Sequence, residues 1–357
     1  MRHSLFSLSL SLLLVAGCAS HVPMSTASAS AASKPSSGSH YHVVRHIPIG
    51  GEGGWDYLTV DADGRRLFLS RGTHVMVMDL ASGKVVGDIP HTDGVHGIAL
   101  APGLGRAFIS NGRSSSVMIV DLANLNPIAE VKTTGERPDA IIYEPFSKRV
   151  FTFNAGGKNT TAIDAASGIV AGTIALGGKP EFAASDGAGR LYVNIEDTNE
   201  VVALDPVALT VASRWPLAGC DEPSGLAIDR IHGRLFSGCG NKIMAVSDIR
   251  SGKMLTSVPI GEGVDANAFD PATGLAFSSN GGAGTLTVAR MSGPDRYEVV
   301  ENVPTARGAR TMALDESTHY IYLVTAQFGP TPDPTAERPH PRPPAIPGTF
   351  EVIEVAP

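Results

Sequence analysis

Seven positions recur along the chain at a nearly constant interval and carry side chains able to do chemistry. They are Asp56, His96, Asp139, Glu181, Ser224, Asp265 and Arg310, separated by 40, 43, 42, 43, 41 and 45 residues. Four carboxylates, an imidazole and a guanidinium in one place would support three uses. They could cap strand ends and pair with one another, which is purely structural. They could bind a ligand, with Arg310 clamping an anion, the acids holding donors, and Trp55 and Tyr57 stacking on it. Or Asp56, His96, Asp139, Glu181 and Asp265 could hold Ca²⁺, Mg²⁺ or Mn²⁺, since oxygen donors with one imidazole suit such ions. A bound ion could in turn polarise water to hydrolyse a lactone or ester. None of this follows unless the fold brings residues forty apart onto a common rim.

The elements that would do so are legible in residues 181–219, EFAASDGAGRLYVNIEDTNEVVALDPVALTVASRWPLAG. Four runs of strand length, rich in β-branched and aromatic residues, are separated by turn chemistry at 186–189, 197–199 and 205–206. No run shows a helical period over ten residues. A single four-stranded antiparallel sheet cannot bury both its faces, so it needs copies beside it. The copies are present. The residue ending the first run of each unit falls at Asp61, Ala101, Glu144, Asp186, Asp229, Asp270 and Asp315, at intervals of 40 to 45. A second marker, the Asp that ends the third run, recurs at Asp79, Asp121, Asp164, Asp205 and Asp248. Two independent markers with one period in the low forties predict an all-β, seven-bladed propeller of four-stranded antiparallel blades.

Chain order predicts how the circle closes. Residues 41–49 alternate like a strand but precede the first complete blade. The last blade has strands over 310–314, 320–325 and 349–355, and then the chain ends. Pairing the spare strand with the incomplete blade leaves no free edge. Alanines at 99, 184, 227, 268 and 313, two before the marker, are the small residues expected where first strands line a narrow channel.

Units such as PSGLAID (223–229) followed by RLF (234–236), and RLYVN (190–194) followed by VVALD (201–205), resemble the YVTN β-propeller repeat. The closing piece SVPIG (257–261) fits as well. With its N-terminal segment the chain is similar to the YncE-like periplasmic propellers. The resemblance covers roughly residues 41–357 and implies the fold. It implies no single activity, because that family spans binding proteins, surface proteins and lactonase-like enzymes. Ala289-Arg290 departs from the usual aliphatic-Asp end of the third run, and the last blade carries an insertion.

Residues 1–17 read as a secretory signal: Arg2 and His3, an apolar run over 5–15 too short to span a bilayer, then VAGC at 15–18. The cleavage site resembles the lipobox of bacterial lipoproteins, which implies lipid on Cys18, and Ala19 after it implies retention at the outer membrane. Residues 18–40 are Ser/Ala-rich and read as a flexible tether, leaving 41–357 for the propeller. The formal charge of −7 becomes −8 once Arg2 leaves with the signal. An acidic chain without a basic run is poorly suited to nucleic acid, whose binding draws on Lys and Arg neutralising phosphates. The membrane is met through the lipid alone, and the chain is expected to be a monomer.

With Cys18 taken by lipid, Cys220 and Cys239 remain. One lies where blade four passes to blade five, the other where the second strand of blade five turns into its third. Both connections emerge on one face, and an oxidising compartment favours a disulfide between them. No Cys-x-x-Cys-His is present, so c-type haem is excluded. The proline-rich insertion, 328–348, emerges on that face too. It has a stiff, polyproline-leaning backbone that resists sheet pairing. It could be a surface loop, or a lid bringing Arg338, His340 or Arg342 toward the rim. The expected function is a noncatalytic module binding a small molecule or periplasmic protein; the alternative is a metal-dependent hydrolase of lactonase type using the same rim.

Overall fold

A four-stranded sheet of alternating side chains has two apolar faces, and water is kept off both only if another sheet covers each. In the computed structural model, which describes residues 40–293, 295–335 and 341–357, seven four-stranded sheets solve this by standing around one axis. Blade 1 consists of Leu58–Asp61, Arg66–Ser70, Val75–Asp79 and Val85–Ile89. The first strands of blades 2 to 7 are Val95–Ala101, Pro138–Glu144, Pro180–Ser185, Pro223–Asp229, Val264–Asp270 and Met312–Asp315. These first strands touch one another in cyclic order, the seventh against the first. Seven hydrophobic clusters fill the seams, each built from two adjacent blades. The fold is an all-β, seven-bladed propeller.

The repeating acids are turn caps, which is why they keep the period. Asp61 accepts the Gly64 N–H at 3.1 Å, Asp229 those of Ile231 and His232 at 2.9 and 3.0 Å, and Asp315 that of Ser317 at 3.0 Å. Asp79, Asp121, Asp164, Asp205 and Asp248 do the same after the third strands. A short side chain that bonds the backbone two or three residues ahead fixes such a turn. Ala101 has no such group, and there a 3₁₀ turn, Pro102–Leu104, closes on Gly105 in the left-handed region at φ 62°. Where Ala289-Arg290 replaces the second cap, the hairpin runs on instead, as Thr285–Gly293 paired with Arg296–Pro304.

The spare N-terminal strand is His42–Pro48, and it pairs antiparallel with Glu351–Ala356 to complete blade 7. Arg45 fastens the pair, its Nε and Nη2 lying 2.7 and 2.6 Å from the nearly buried Glu354. The blade's second strand, Tyr320–Thr325, falls where the sequence places it, while the two strands expected from 310 and 349 begin two residues later, as Met312–Asp315 and Glu351–Ala356. Arg310 and Thr311 are drawn off to the channel mouth, and the Phe350 carbonyl is taken by the N–H groups of Ile49 and Gly50. The small alanines also differ from expectation. Ala99, Ala184, Ala227 and Ala313 belong to the cores between blades rather than to an open channel wall. Each is small because the first strands crowd together there.

Cys220 and Cys239 form a disulfide at the corner where blade 4 passes to blade 5. Cys18, the signal segment 1–17 and the tether up to residue 39 lie outside the described residues. Among the described residues no helix is long and apolar enough to cross a membrane.

The disulfide closes a separation of 19 residues, a loop whose restriction in the unfolded chain contributes about 3 kcal/mol. The Cys220→Ser/Cys239→Ser protein should therefore unfold at a lower urea midpoint by that free energy, and reduction of the wild type should give the same loss. Equal midpoints would show that the bond contributes nothing.

Candidate functional site: an acidic channel mouth

One register repeats at the start of every first strand. His96, Asp139, Glu181, Ser224 and Asp265 each occupy the second position of their strand, while Asp56 and Arg310 stand two residues before theirs. Because the strands are related around one axis, this register delivers the side chains to one end of the channel. Arg310 Nε is 2.7 Å from Asp265 Oδ2, and its Nη2 is 3.3 Å from Asp56 Oδ1. The other Asp56 oxygen lies 2.6 Å from His96 Nδ1, which is 3.5 Å from Asp139 Oδ1. Asp265, Arg310, Asp56, His96 and Asp139 thus form one continuous arc over blades 6, 7, 1, 2 and 3. Glu181 on blade 4 is held by Lys179 at 2.8 Å, and Lys179 also contacts Glu196. Ser224 stands apart from the charges and donates to the Val264 carbonyl at 3.2 Å.

Hydroxyl groups fix the backbone beneath the arc. Ser70 accepts the Asp56 N–H at 2.9 Å, and Thr311 donates to the Asp56 carbonyl at 2.6 Å. Ser110 accepts the Gly97 N–H at 2.9 Å and donates across the seam to the Asp139 carbonyl at 2.5 Å. Ser279 donates to the Arg310 carbonyl. Gly112 sets the imidazole: a Cβ there would stand 2.9 Å from both Cδ2 and Nε2 of His96. Each rim residue is therefore placed by hydrogen bonds or by packing.

Below the rim lies an aromatic floor. Tyr57 of blade 1 stacks on Phe182 of blade 4 with centroids 4.4 Å apart and planes at 26°. Blades 1 and 4 are not neighbours in a circle of seven, so this contact crosses the channel. The Tyr57 hydroxyl is sealed from solvent and has no hydrogen-bond partner among the described residues. Burial, then the charges of Asp139, Glu181, Asp56 and Asp265, raise its pKa well above the ordinary tyrosine value. Trp55 packs on Phe328 and Phe350 at 6.0 and 5.5 Å. Trp55 and Tyr57, expected to stack on a ligand, here each pack against protein aromatic rings. Arg310, expected to clamp an anion, is paired here with Asp265 and Asp56.

The proline-rich insertion takes part in this mouth. Its ends pair as a ribbon, through a bridge between Phe328 and Ala345 and through Gly329 N–H to the Pro344 carbonyl at 2.9 Å. Its backbone does pair, locally, because the prolines leave Gly329 and Ile346 with N–H groups to donate. Phe328 seals Trp55, and the Arg342 charge acts on Asp265. Arg338 and His340 lie outside the described residues. Lys179, Phe182 and Gly112 were not singled out from sequence. Lys179 carried a readable signal, two residues before a rim acid, whereas Phe182 meets Tyr57 only across the axis.

Crowding and burial shift the proton affinities of Asp139, Glu181 and Asp265. Burial, opposed by His96 and reinforced by Asp56 and Asp265, pushes Asp139 up to about 6. Burial and the Asp139 charge push Glu181 up to about 8. Lys179 does not cancel this, because it is shared with Glu196. Burial raises Asp265 too, against the pull of Arg310. For His96 burial works against the imidazolium, but the Asp56 hydrogen bond and the charges of Asp139 and Asp56 prevail and raise it. Two open hollows at the blade edges, one lined by His74, Asp88 and His91 and the other by Glu196, Asp221 and Asn241, contain no rim residue.

No protein-family model matches the chain, and no curated protein matches it. Solved structures do. Hydrazine Synthase of Kuenenia stuttgartiensis is 18% identical at a TM-score of 0.67, covering 76% of this chain and 92% of that one. U3-55K is 11% identical at 0.70, covering 88% and 98%, and the WD40 repeats of RRP9 are 11% identical at 0.71, covering 88% and 97%. At these identities the likeness defines the class, a seven-bladed β-propeller, and nothing finer.

Between the ordinary glutamate value of 4.5 and about 8, folded Glu181 keeps a proton that the unfolded chain has lost. Its contribution to stability therefore falls as pH rises through that window. Glu181→Gln, which cannot ionise, should melt with the wild type near pH 5 and above it at pH 9. A gap between the two melting curves that stays constant with pH would contradict the assignment.

Proposed function

We propose that this chain is a noncatalytic binding module of the periplasm, held at the outer membrane by lipid on Cys18. It takes a small molecule or a protein segment on the channel mouth. The address is supported by the apolar run and VAGC of the N-terminal segment and by the YVTN-like, YncE-like repeat units. The binding role rests on one observation: the unbroken arc from Asp265 through Arg310, Asp56 and His96 to Asp139. Arg310 and Lys179 are already paired with carboxylates, so the mouth favours a ligand that brings positive charge or hydrogen-bond donors to the acids. His96 faces two carboxylates rather than a hydroxyl or thiol, an arrangement that holds charge instead of activating a nucleophile.

The second reading is a divalent-metal hydrolase of lactonase type. The observation in its favour is the grouping of Asp56, His96 and Asp139 donor atoms within 4.8 Å of one another. It would require an ion to polarise the attacking water.

With metals removed by chelation and dialysis, spermidine should raise the melting temperature in proportion to the logarithm of its concentration. Asp265→Asn should weaken that response, and citrate should give none. Stabilisation by citrate and not by spermidine would contradict the reading. Mn²⁺-dependent opening of γ-butyrolactone would replace it with the hydrolase.

A further inference from the structure

We propose that Asp56, His96 and Asp139 bind a first-row divalent cation such as Mn²⁺, an inference that rests on the channel-mouth reading and gives that mouth its ion. One oxygen of each carboxylate and the His96 Nδ1 lie within 4.8 Å of one another. Ligands held at about 2.1 Å from an ion stand about 3 to 3.5 Å apart around it. The 3.5 Å from His96 Nδ1 to Asp139 Oδ1 already has that spacing, and the 2.6 Å to Asp56 Oδ2 needs to open by under about 1 Å. Two carboxylates neutralise a divalent charge. The imidazole nitrogen favours first-row metals over Ca²⁺ and Mg²⁺, and the lack of a thiolate in the set disfavours soft ions.

The groups behind these donors are those that orient metal ligands. Asp56 Oδ1 accepts from Arg310, which turns Oδ2 toward His96. Thr311 and Ser70 hold the Asp56 backbone, Ser110 holds that of Asp139, and Gly112 leaves the imidazole its place.

A separate observation also points to an occupant. Tyr57, next in sequence to Asp56, has a hydroxyl that is sealed and finds no hydrogen-bond partner among the described residues. A buried hydroxyl left unsatisfied is costly, so this end of the channel holds a polar group whose need is unmet. Three protein ligands leave further positions for water or for an atom of the bound ligand.

The test uses the full chain, freed of metal, titrated with Mn²⁺ and followed by the electron paramagnetic resonance signal of the free ion. One Mn²⁺ per chain should bind. Asp139→Asn and His96→Gln, each checked for an unchanged melting temperature without metal, should each weaken it at least tenfold. Asp221→Asn, an acidic residue of the blade 5 edge, should leave it unaltered. Absence of binding at 1 mM Mn²⁺ overturns the proposal, as does an Asp221→Asn loss equal to that of Asp139→Asn. Failure with Mn²⁺ while spermidine still stabilises removes the ion and spares the binding mouth; failure of both removes both.

Discussion

Everything in this molecule depends on apolar burial between sheets. No blade can cover its own faces, so each core is shared, and seven shared cores close only when the last blade meets the first. The seam between blades 7 and 1 carries that burden. There Ile47 and Val352 pack with Leu58, Leu67 and Tyr322, and Arg65 reaches the fully buried Asp315 at 2.9 Å. Since the strand that completes blade 7 comes from the start of the chain, closure ties the two ends of the domain together. An open circle would expose both a sheet face and the edge of Glu351–Ala356.

The same closure creates the site. Residues separated by some forty positions become neighbours because each blade repeats one register, and the rim then concentrates charge that no single blade would tolerate. Asp56 shows the economy of the arrangement: one carboxylate oxygen faces Arg310 of blade 7 and the other His96 of blade 2. Burial raises the proton affinity of Asp139, Glu181 and Asp265. A site of this kind stores unfavourable electrostatics in the folded state.

Much of the fold could be read from the sequence because its period is written in turn chemistry. An aspartate that caps a tight turn has few substitutes, so Asp61, Asp229 or Asp315 mark the repeat even where the strands between them diverge. Ala101 and Ala289 broke the pattern, and in both places the backbone found another solution. The rim register was legible for the same reason. What sequence could not show is what crosses the axis. Tyr57 meets Phe182 because blades 1 and 4 face each other across the channel, and no local spacing encodes that. Nor does local spacing show that Phe328, in the insertion of the last blade, packs against Trp55 of the first. The pairing of Arg310 with Asp265 and Asp56 is not legible either, because it depends on side-chain reach between blades 6, 7 and 1, not on position in the repeat.

Hydrogen–deuterium exchange in the presence and absence of spermidine bears most directly on the claim that this rim is where the protein binds. The account predicts new protection confined to the segments around Asp56, His96, Asp139, Asp265 and Arg310. Protection at the opposite end of the blades, around the turns after Asp186 and Asp229, would contradict it.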